Sequence, residues 1–160
     1  MKIQRQHSKE CALATVAMLA DIPLDDVYEY ACHLADITNW DQLAYDPGRF
    51  WSVLAHVALD AGLPLKFVNE WTIPRLRDAE DARFGVHECP TESGSPNLTG
   101  KGILRIKLAI SSHVVAYEDG LVYDSNLSYP ATFGLWLRKA EQLYGPISSI
   151  KVLTIDGEYK

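Results

Sequence analysis

The sequence predicts an α+β domain in which a set of N-terminal helices, one of them buried at the centre, packs on an antiparallel β-sheet formed mainly by the C-terminal half. Two observations predict this class: an almost wholly apolar helix at 11–20, and a β-hairpin signal at Asp119-Gly120 within a region of alternating residues. The chain has 160 residues, of which 48% are hydrophobic, so it can bury one sizeable core. We therefore expect residues 1–160 to form a single domain.

Two helices are predicted in the first part of the chain. The segment 11–20, CALATVAMLA, is apolar on nearly every side, and a helix without a polar face belongs in the middle of a core. A second, amphipathic helix is predicted over about 25–35, with Leu24 and Asp25 as its start and its cap. The first of these helices is the predicted central helix.

A third helix has the clearest boundaries, and a strand follows it. Asp46 is a typical N-cap, Pro47 is favoured in a first helical turn, and Gly62 is a typical stop, which predicts a helix over 47–61. The next residues, 63–68, read as a short strand.

The remaining chain turns from helix to strand. A short charged helix is predicted over 72–84, and the Gly-, Pro- and Ser-rich stretch 85–102 predicts a long loop. Alternation over 103–110 predicts a half-buried strand, 130–144 is predicted to be helical, and 150–155 to be the last strand.

Large aromatic side chains are mostly core residues, so we expect a core position for Trp40, Trp51, Trp71 and Trp136.

Composition and charge exclude several classes of partner. The chain carries 21 acidic and 15 basic residues, a net charge of −6, and no Lys/Arg cluster, so no nucleic-acid partner is expected. No apolar run is long enough to span a bilayer, so no membrane association is expected. The odd number of cysteines at irregular spacing indicates reduced thiols and a cytoplasmic protein; they are Cys11, Cys32 and Cys89.

No metal or cofactor is expected. His87 and Cys89 are close in sequence, as are Cys32 and His33, but zinc ligands normally occur as matched pairs at short regular spacing. The glycines of 94–102 do not have the spacing of a phosphate-binding loop, and no strand precedes them.

Cys11 is the first candidate for chemistry. A cysteine in the first turn of a helix sees the positive end of the helix dipole and unsatisfied backbone N–H groups, and both favour the thiolate. Cysteine is also a common buried residue that simply packs. Position alone therefore does not decide between a nucleophile and a packing residue.

The predicted hairpin supplies a base and an orienting group. With Asp119 and Gly120 as its two loop residues, strand alternation places His113, Asp124 and Asn126 on one face. Asn126 then lies opposite His113, and Asp124 is the diagonal neighbour at a Cα distance of about 7–8 Å. A thiol needs an adjacent imidazole, and the imidazole needs a third group that fixes its tautomer. Either Asp124 or Asn126 can be that group.

This pattern resembles the papain-like cysteine peptidases: a Gln shortly before a Cys at the head of an apolar helix, then His on one strand and Asp on the next. It is most similar to the peptidase domains that trim bacteriocin leader peptides, and to related small phage and bacterial proteins. The resemblance implies a papain-like fold with Cys11 as nucleophile, His113 as general base and Asp124 as its orienting residue. It also implies a glutamine in the oxyanion hole, for which Gln6 is favoured and Gln4 is the alternative.

The sequence departs from the family in three places. Arg5 occupies the position at which the family has its glutamine, which is why the neighbouring Gln6 is favoured. Ala12 follows the cysteine where the family commonly has Gly, and Ser125 follows Asp124 where the family usually has Pro.

The expected function is hydrolysis of an amide bond in a peptide or protein substrate by the Cys11 thiolate. Deamidation and acyl transfer use the same dyad and remain alternatives. A catalytically silent papain-like domain that binds a partner protein is the alternative from another functional class. The sequence does not predict the oligomeric state.

Overall fold

The computed structural model describes residues 1–4, 11–43, 46–72 and 98–155, and for 65–72 it describes the backbone alone. The predicted helix 72–84 lies outside the described residues except for its first residue, and the predicted loop 85–102 does so up to residue 97. The side chains of Arg5, Gln6, His87 and Cys89, which the sequence singles out, also lie outside the described residues.

The described residues form four α-helices, a short 3-10 helix and six strands, which confirms the α+β class. The helices are α1 (Cys11–Ala20), α2 (Leu24–Ala35), the 3-10 helix Trp40–Leu43, α3 (Pro47–Asp60) and α4 (Phe133–Tyr144). The strands are β1 (Leu65–Thr72), β2 (Lys101–Lys107), β3 (Ser112–Glu118), β4 (Leu121–Tyr123), β5 (Ala131–Thr132) and β6 (Ser149–Ile155). All neighbouring strands pair antiparallel, in the order β1-β6-β2-β3-β4-β5.

Helix α1 is the central helix that its apolar sequence predicts. Every residue from Ala12 to Leu19 is buried. Helices α2 and α3 and strand β3 all contact it, so water has no access to its sides. A helix with no polar face is stable only in such surroundings.

The ends of α2 and α3 show how well caps can be predicted. Asp46 caps α3 as expected, since its Oδ1 accepts from the backbone N–H of Arg49 at 3.2 Å. The cap predicted for α2 is wrong: the N-cap residue is Pro23, and Asp25 lies in the first turn. The reason is a distant side chain, because Gln4 Oε1 accepts from the backbone N–H of Leu24 at 2.7 Å and satisfies the helix start instead.

The sheet is covered on both faces. Helices α1 to α3 pack on one face, in a cluster that includes Ile103, Val114 and Ala116. Helix α4 packs on the other, in a cluster that includes Leu104 and Val115. The half-buried strand predicted over 103–110 is therefore wrong in two respects: β2 spans Lys101–Lys107, and its central residues are buried on both sides.

The hairpin forms with the predicted turn. Asp119 and Gly120 have φ values of 47° and 87°, and a type I′ turn requires positive φ at both of its central residues. Glu118 pairs with Leu121, and pairing continues only to Ala116 and Tyr123. The chain therefore leaves β4 before it reaches Asn126, and the predicted strand position opposite His113 is not formed.

Other boundaries differ by a few residues. Helix α4 begins at Phe133 rather than at 130, because Ala131 and Thr132 pair with β4 as the edge strand β5. Strand β1 runs over Leu65–Thr72, further along the chain than the predicted 63–68. Trp40 and Trp136 are buried core residues as expected, whereas Trp51 is only partly buried and packs against the core. The side chain of Trp71 lies outside the description. In the parts of the chain that the structure describes, no helix has the length and apolarity needed to cross a membrane.

Candidate active site

Cys11 is the first residue of α1 and is partly exposed, whereas the residues from Ala12 to Leu19 are buried. One hydroxyl joins this helix start to the sheet: Thr15 Oγ1 lies 2.7 Å from the carbonyl oxygen of Cys11 and 3.1 Å from that of Val114. Thr15 is itself completely buried. The residue after His113 is thus linked directly to the first turn of the helix that carries the thiol.

His113 lies near the start of β3, with only 5% of its surface exposed. Its Nε2 is 2.9 Å from Oδ1 of Asp124. Since an ionised carboxylate only accepts, Nε2 carries the proton of this bond. Cys11 is the other side chain that acts on the imidazole and raises its pKa, and Nδ1 is the ring nitrogen left to face it. The structure therefore brings together three of the predicted site residues.

The surroundings of His113 favour its charged form. Burial by itself lowers the pKa of an imidazole, but the hydrogen bonds with Asp124 and Cys11 outweigh it and raise the pKa of His113 from 6.5 to about 9. Burial raises the pKa of the Asp124 carboxyl, yet the bond with His113 and the bonds from Asn126 and Trp136 lower it below its usual value. At neutral pH the site therefore holds a carboxylate next to an imidazolium.

Asp124 follows β4 directly and is fully buried. Besides His113, its Oδ1 accepts from the backbone N–H of Asn126 at 3.0 Å. Its Oδ2 accepts from Trp136 Nε1 at 3.1 Å and from the Tyr144 hydroxyl at 2.9 Å. These four donors match the roughly four lone-pair sites of a carboxylate. Asp124 thus contacts His113, and Asn126 contacts Asp124 instead of the imidazole.

Three further residues belong to this site. The sequence analysis does not identify Thr15 or Tyr144, and it assigns Trp136 only to the core. Tyr144 stacks on His113 with 4.5 Å between ring centroids, Trp136 donates to Asp124, and Thr15 links α1 to β3. The spacing of Trp136 and Tyr144, with Ala140 between them, does place both on one side of α4. Only the packing of α4 over Asp124 shows what that side contacts.

Gln4, one of the two glutamines considered for the oxyanion hole, is bonded near the start of α2. Gln4 Nε2 donates to the carbonyl of Ile22 at 2.7 Å, and its Oε1 accepts from Leu24. Its amide is therefore engaged beyond the C-terminal end of the ten-residue helix α1, about 15 Å from the end that carries Cys11. Gln4 is not placed to bind an oxyanion at Cys11. Gln6 lies outside the described residues.

The other cysteine in the described ranges has different surroundings. Cys32 lies in α2, is buried with 8% of its surface exposed, and packs in the core cluster of α1 to α3. Among the described residues, no three His, Cys, Asp or Glu side chains come together in a way that could hold a metal ion.

Comparisons with known proteins add no relative. A scan against models of protein families finds no match for this chain, and a search of the curated proteins finds none either. The geometry of Cys11, His113 and Asp124 is therefore the basis of the functional interpretation.

Proposed function

We propose that this protein is a papain-like cysteine hydrolase that cleaves an amide bond in a peptide or protein, with Cys11 as nucleophile and His113 as base. The observation that carries the proposal is one sequence of three side chains: the buried Asp124 carboxylate bonds Nε2 of His113, and Cys11 acts on the same imidazole and raises its pKa. This is the order of groups that an activated thiol requires.

The arrangement allows a complete reaction cycle. In the charged form of His113, Nδ1 holds the proton given up by the Cys11 thiol, and the thiolate attacks the carbonyl carbon of the scissile bond. The imidazolium then gives its proton to the leaving amine, which breaks the C–N bond and leaves a thioester on Cys11. Water, deprotonated by His113, attacks the thioester and releases the acid and the free thiol. We assign the oxyanion contact to Gln6, following the resemblance.

Asp124 supports an enzyme over a silent binding domain. Burying a carboxylate costs free energy unless all its lone pairs are bonded, and here that arrangement serves mainly to hold one histidine beside one cysteine. A nucleophile that has to stay reduced also suits a cytoplasmic protein, which is the compartment we propose.

Selective alkylation of the thiols tests the proposal. Iodoacetamide labelling, read by mass spectrometry for each cysteine, should modify Cys11 at pH 6 to 7 far faster than Cys32 or Cys89, because an ordinary thiol has a pKa of about 8.5 and is mostly protonated there. The His113→Ala variant should lose this advantage. Its Cys11 rate should instead rise with pH as that of an ordinary thiol does.

Burial alone slows Cys32, so its rate is not a sufficient control. The decisive comparison is Cys11 in the wild type against Cys11 in His113→Ala, with His56→Ala as a matched change at an exposed histidine. Equal Cys11 rates at pH 6 in all three proteins would refute the proposal.

The substrate class needs a separate experiment. A Cys11→Ala variant cannot form the thioester, so it should retain bound peptides or proteins that the wild type releases after cleavage. Fragments of the retained molecules, produced by the wild type and absent with Cys11→Ala, would establish the peptidase reaction. Release of ammonia without chain cleavage would indicate deamidation instead.

A further inference from the structure

We propose that Tyr144 is a positioning residue of this site, whose hydroxyl fixes the Asp124 carboxylate and whose ring covers and orients the imidazole of His113. The inference rests on the proposed function for its catalytic meaning, but the contacts that support it do not depend on the reaction. No feature of the sequence alone assigns Tyr144 to the site.

The ring of Tyr144 covers His113. The two ring centroids are 4.5 Å apart with an interplanar angle of 40°, which is within the range of favourable aromatic contacts. A ring in this position limits rotation of the imidazole and keeps water from the bond between Nε2 and Asp124. A second constraint on His113 thus comes from α4, independently of the carboxylate.

The hydroxyl of Tyr144 acts on the partner of His113. Oη lies 2.9 Å from Oδ2 and 3.1 Å from Oδ1 of Asp124, and it accepts from Asn126 Nδ2 at 2.9 Å. Because the amide of Asn126 already donates to Oη, the phenol proton is directed at the carboxylate. The donor chain therefore runs from Asn126 through Tyr144 to Asp124.

Tyr144 is held at the right place by the end of its helix. It is the last residue of α4, and Gly145 follows with a φ of 89°, donating its N–H to Glu141 at 3.0 Å. Glycine reaches this left-handed region without strain, so the helix can stop directly after Tyr144. Burial and the nearby charge of Asp124 raise the pKa of the Tyr144 phenol, so the group stays a donor at every physiological pH.

The loss of this one hydroxyl has a predictable effect on His113. A donor on a carboxylate draws off part of its negative charge, so Tyr144→Phe leaves Asp124 with a stronger attraction for the imidazolium. The titratable groups that the described residues place around His113 are Cys11 from α1, Asp124 after β4 and Tyr144 from α4. The first two are unchanged in this variant.

The experiment is a nitrogen-15 NMR titration of histidine-labelled protein. In Tyr144→Phe the pKa of His113 should rise by about half a unit. Tyr30→Phe is the matched control. Tyr30 lies at an exposed position of α2, and its hydroxyl also donates to an aspartate, Asp60.

Two further variants keep the test decisive. Asn126→Ala releases the Tyr144 hydroxyl without removing it and should shift the pKa of His113 in the same direction by less. The titration of Tyr144→Phe in a Cys11→Ala background needs no thiol chemistry, so it remains valid if Cys11 is not a nucleophile. A His113 pKa that is unchanged or shifted downward in both Tyr144→Phe and Asn126→Ala would overturn the inference.

Discussion

Asp124 Oδ1 lies 2.9 Å from Nε2 of His113, and the two side chains are 0% and 5% exposed. A carboxylate and an imidazole at this distance and burial titrate as one coupled pair, because the charge of each group stabilises the charged form of the other. The stability of the fold and the reactivity of Cys11 should therefore both depend on the protonation of this pair.

The first prediction concerns stability at alkaline pH. The pKa of His113 is raised from 6.5 to about 9, so its contribution to stability is fully present below 6.5 and is lost as pH rises through 9. The free energy of unfolding in urea should fall by about 1–3 kcal/mol between pH 6.5 and 10 from this group. His113→Gln should lack that part of the dependence, whereas the exposed His56→Gln should keep it. Parallel curves for wild type and His113→Gln would contradict the assignment.

The second prediction separates charge from orientation. Asp124→Asn keeps an oxygen that can accept from His113 Nε2 but removes the negative charge, so the pKa of His113 should fall by about one unit or more. The alkylation rate of Cys11 at pH 7 should fall with it. Asn126→Ala, which leaves the carboxylate in place, should cause a much smaller change. If the two variants have equal effects on the His113 titration, Asp124 is not the orienting residue.

The third prediction concerns the link between helix and strand. Thr15→Val preserves the shape of the side chain but removes the hydroxyl that bonds the carbonyls of Cys11 and Val114. Loss of a buried donor should lower the free energy of unfolding by about 1–2 kcal/mol. Thr38→Val is the matched control, because the Thr38 side chain is exposed and its hydroxyl donates to Gln42 Oε1 at 3.3 Å. Its effect should stay within about 0.5 kcal/mol, and a cost as large as that of Thr15→Val would contradict the role given to Thr15.

The fourth prediction tests the sheet that carries His113. A Cβ at Gly102 in β2 would lie 2.2 Å from the carbonyl oxygen of Leu153 and 2.4 Å from the hydroxyl of Tyr117. Since one of these atoms is backbone, Gly102→Ala should destabilise the fold by at least about 2 kcal/mol. Gly48→Ala, in the exposed first turn of α3, should instead stabilise it by about 0.5–1 kcal/mol. Chemical denaturation measures both, and equal signs would contradict this packing.

The sequence predicted the features that depend on neighbours along the chain. Asp119 and Gly120 specify the hairpin turn and with it the register of β3 and β4, because few other residues adopt two positive φ values in succession. Asp46 specifies the start of α3, since its side chain reaches a backbone N–H three residues later. The apolar run 11–20 specifies a buried helix with a cysteine at its first turn.

The sequence also brought His113 and Asp124 to one end of the hairpin, but it left Asn126 as an equal partner. Tertiary structure decided between them. Strand pairing stops at Tyr123, and the chain then turns so that Asp124 reaches the imidazole while Asn126 donates to Asp124 and Tyr144. A register argument assumes that the strand continues, and nothing in the local sequence shows where it ends.

The remaining contacts of the site join residues far apart in the chain. Trp136 and Tyr144 reach Asp124 from α4, and Thr15 reaches Val114 across 99 positions of sequence. Gln4, which the sequence offered for the oxyanion hole, instead supports the start of α2. Periodicity along a chain shows which side of a helix is buried, but the groups it meets there depend on how the layers pack. The sequence by itself therefore determined the helix that begins at Cys11, the strand that carries His113 and the hairpin turn that follows this strand. The packing of α1 and α4 on the sheet decided which side chains contact these residues.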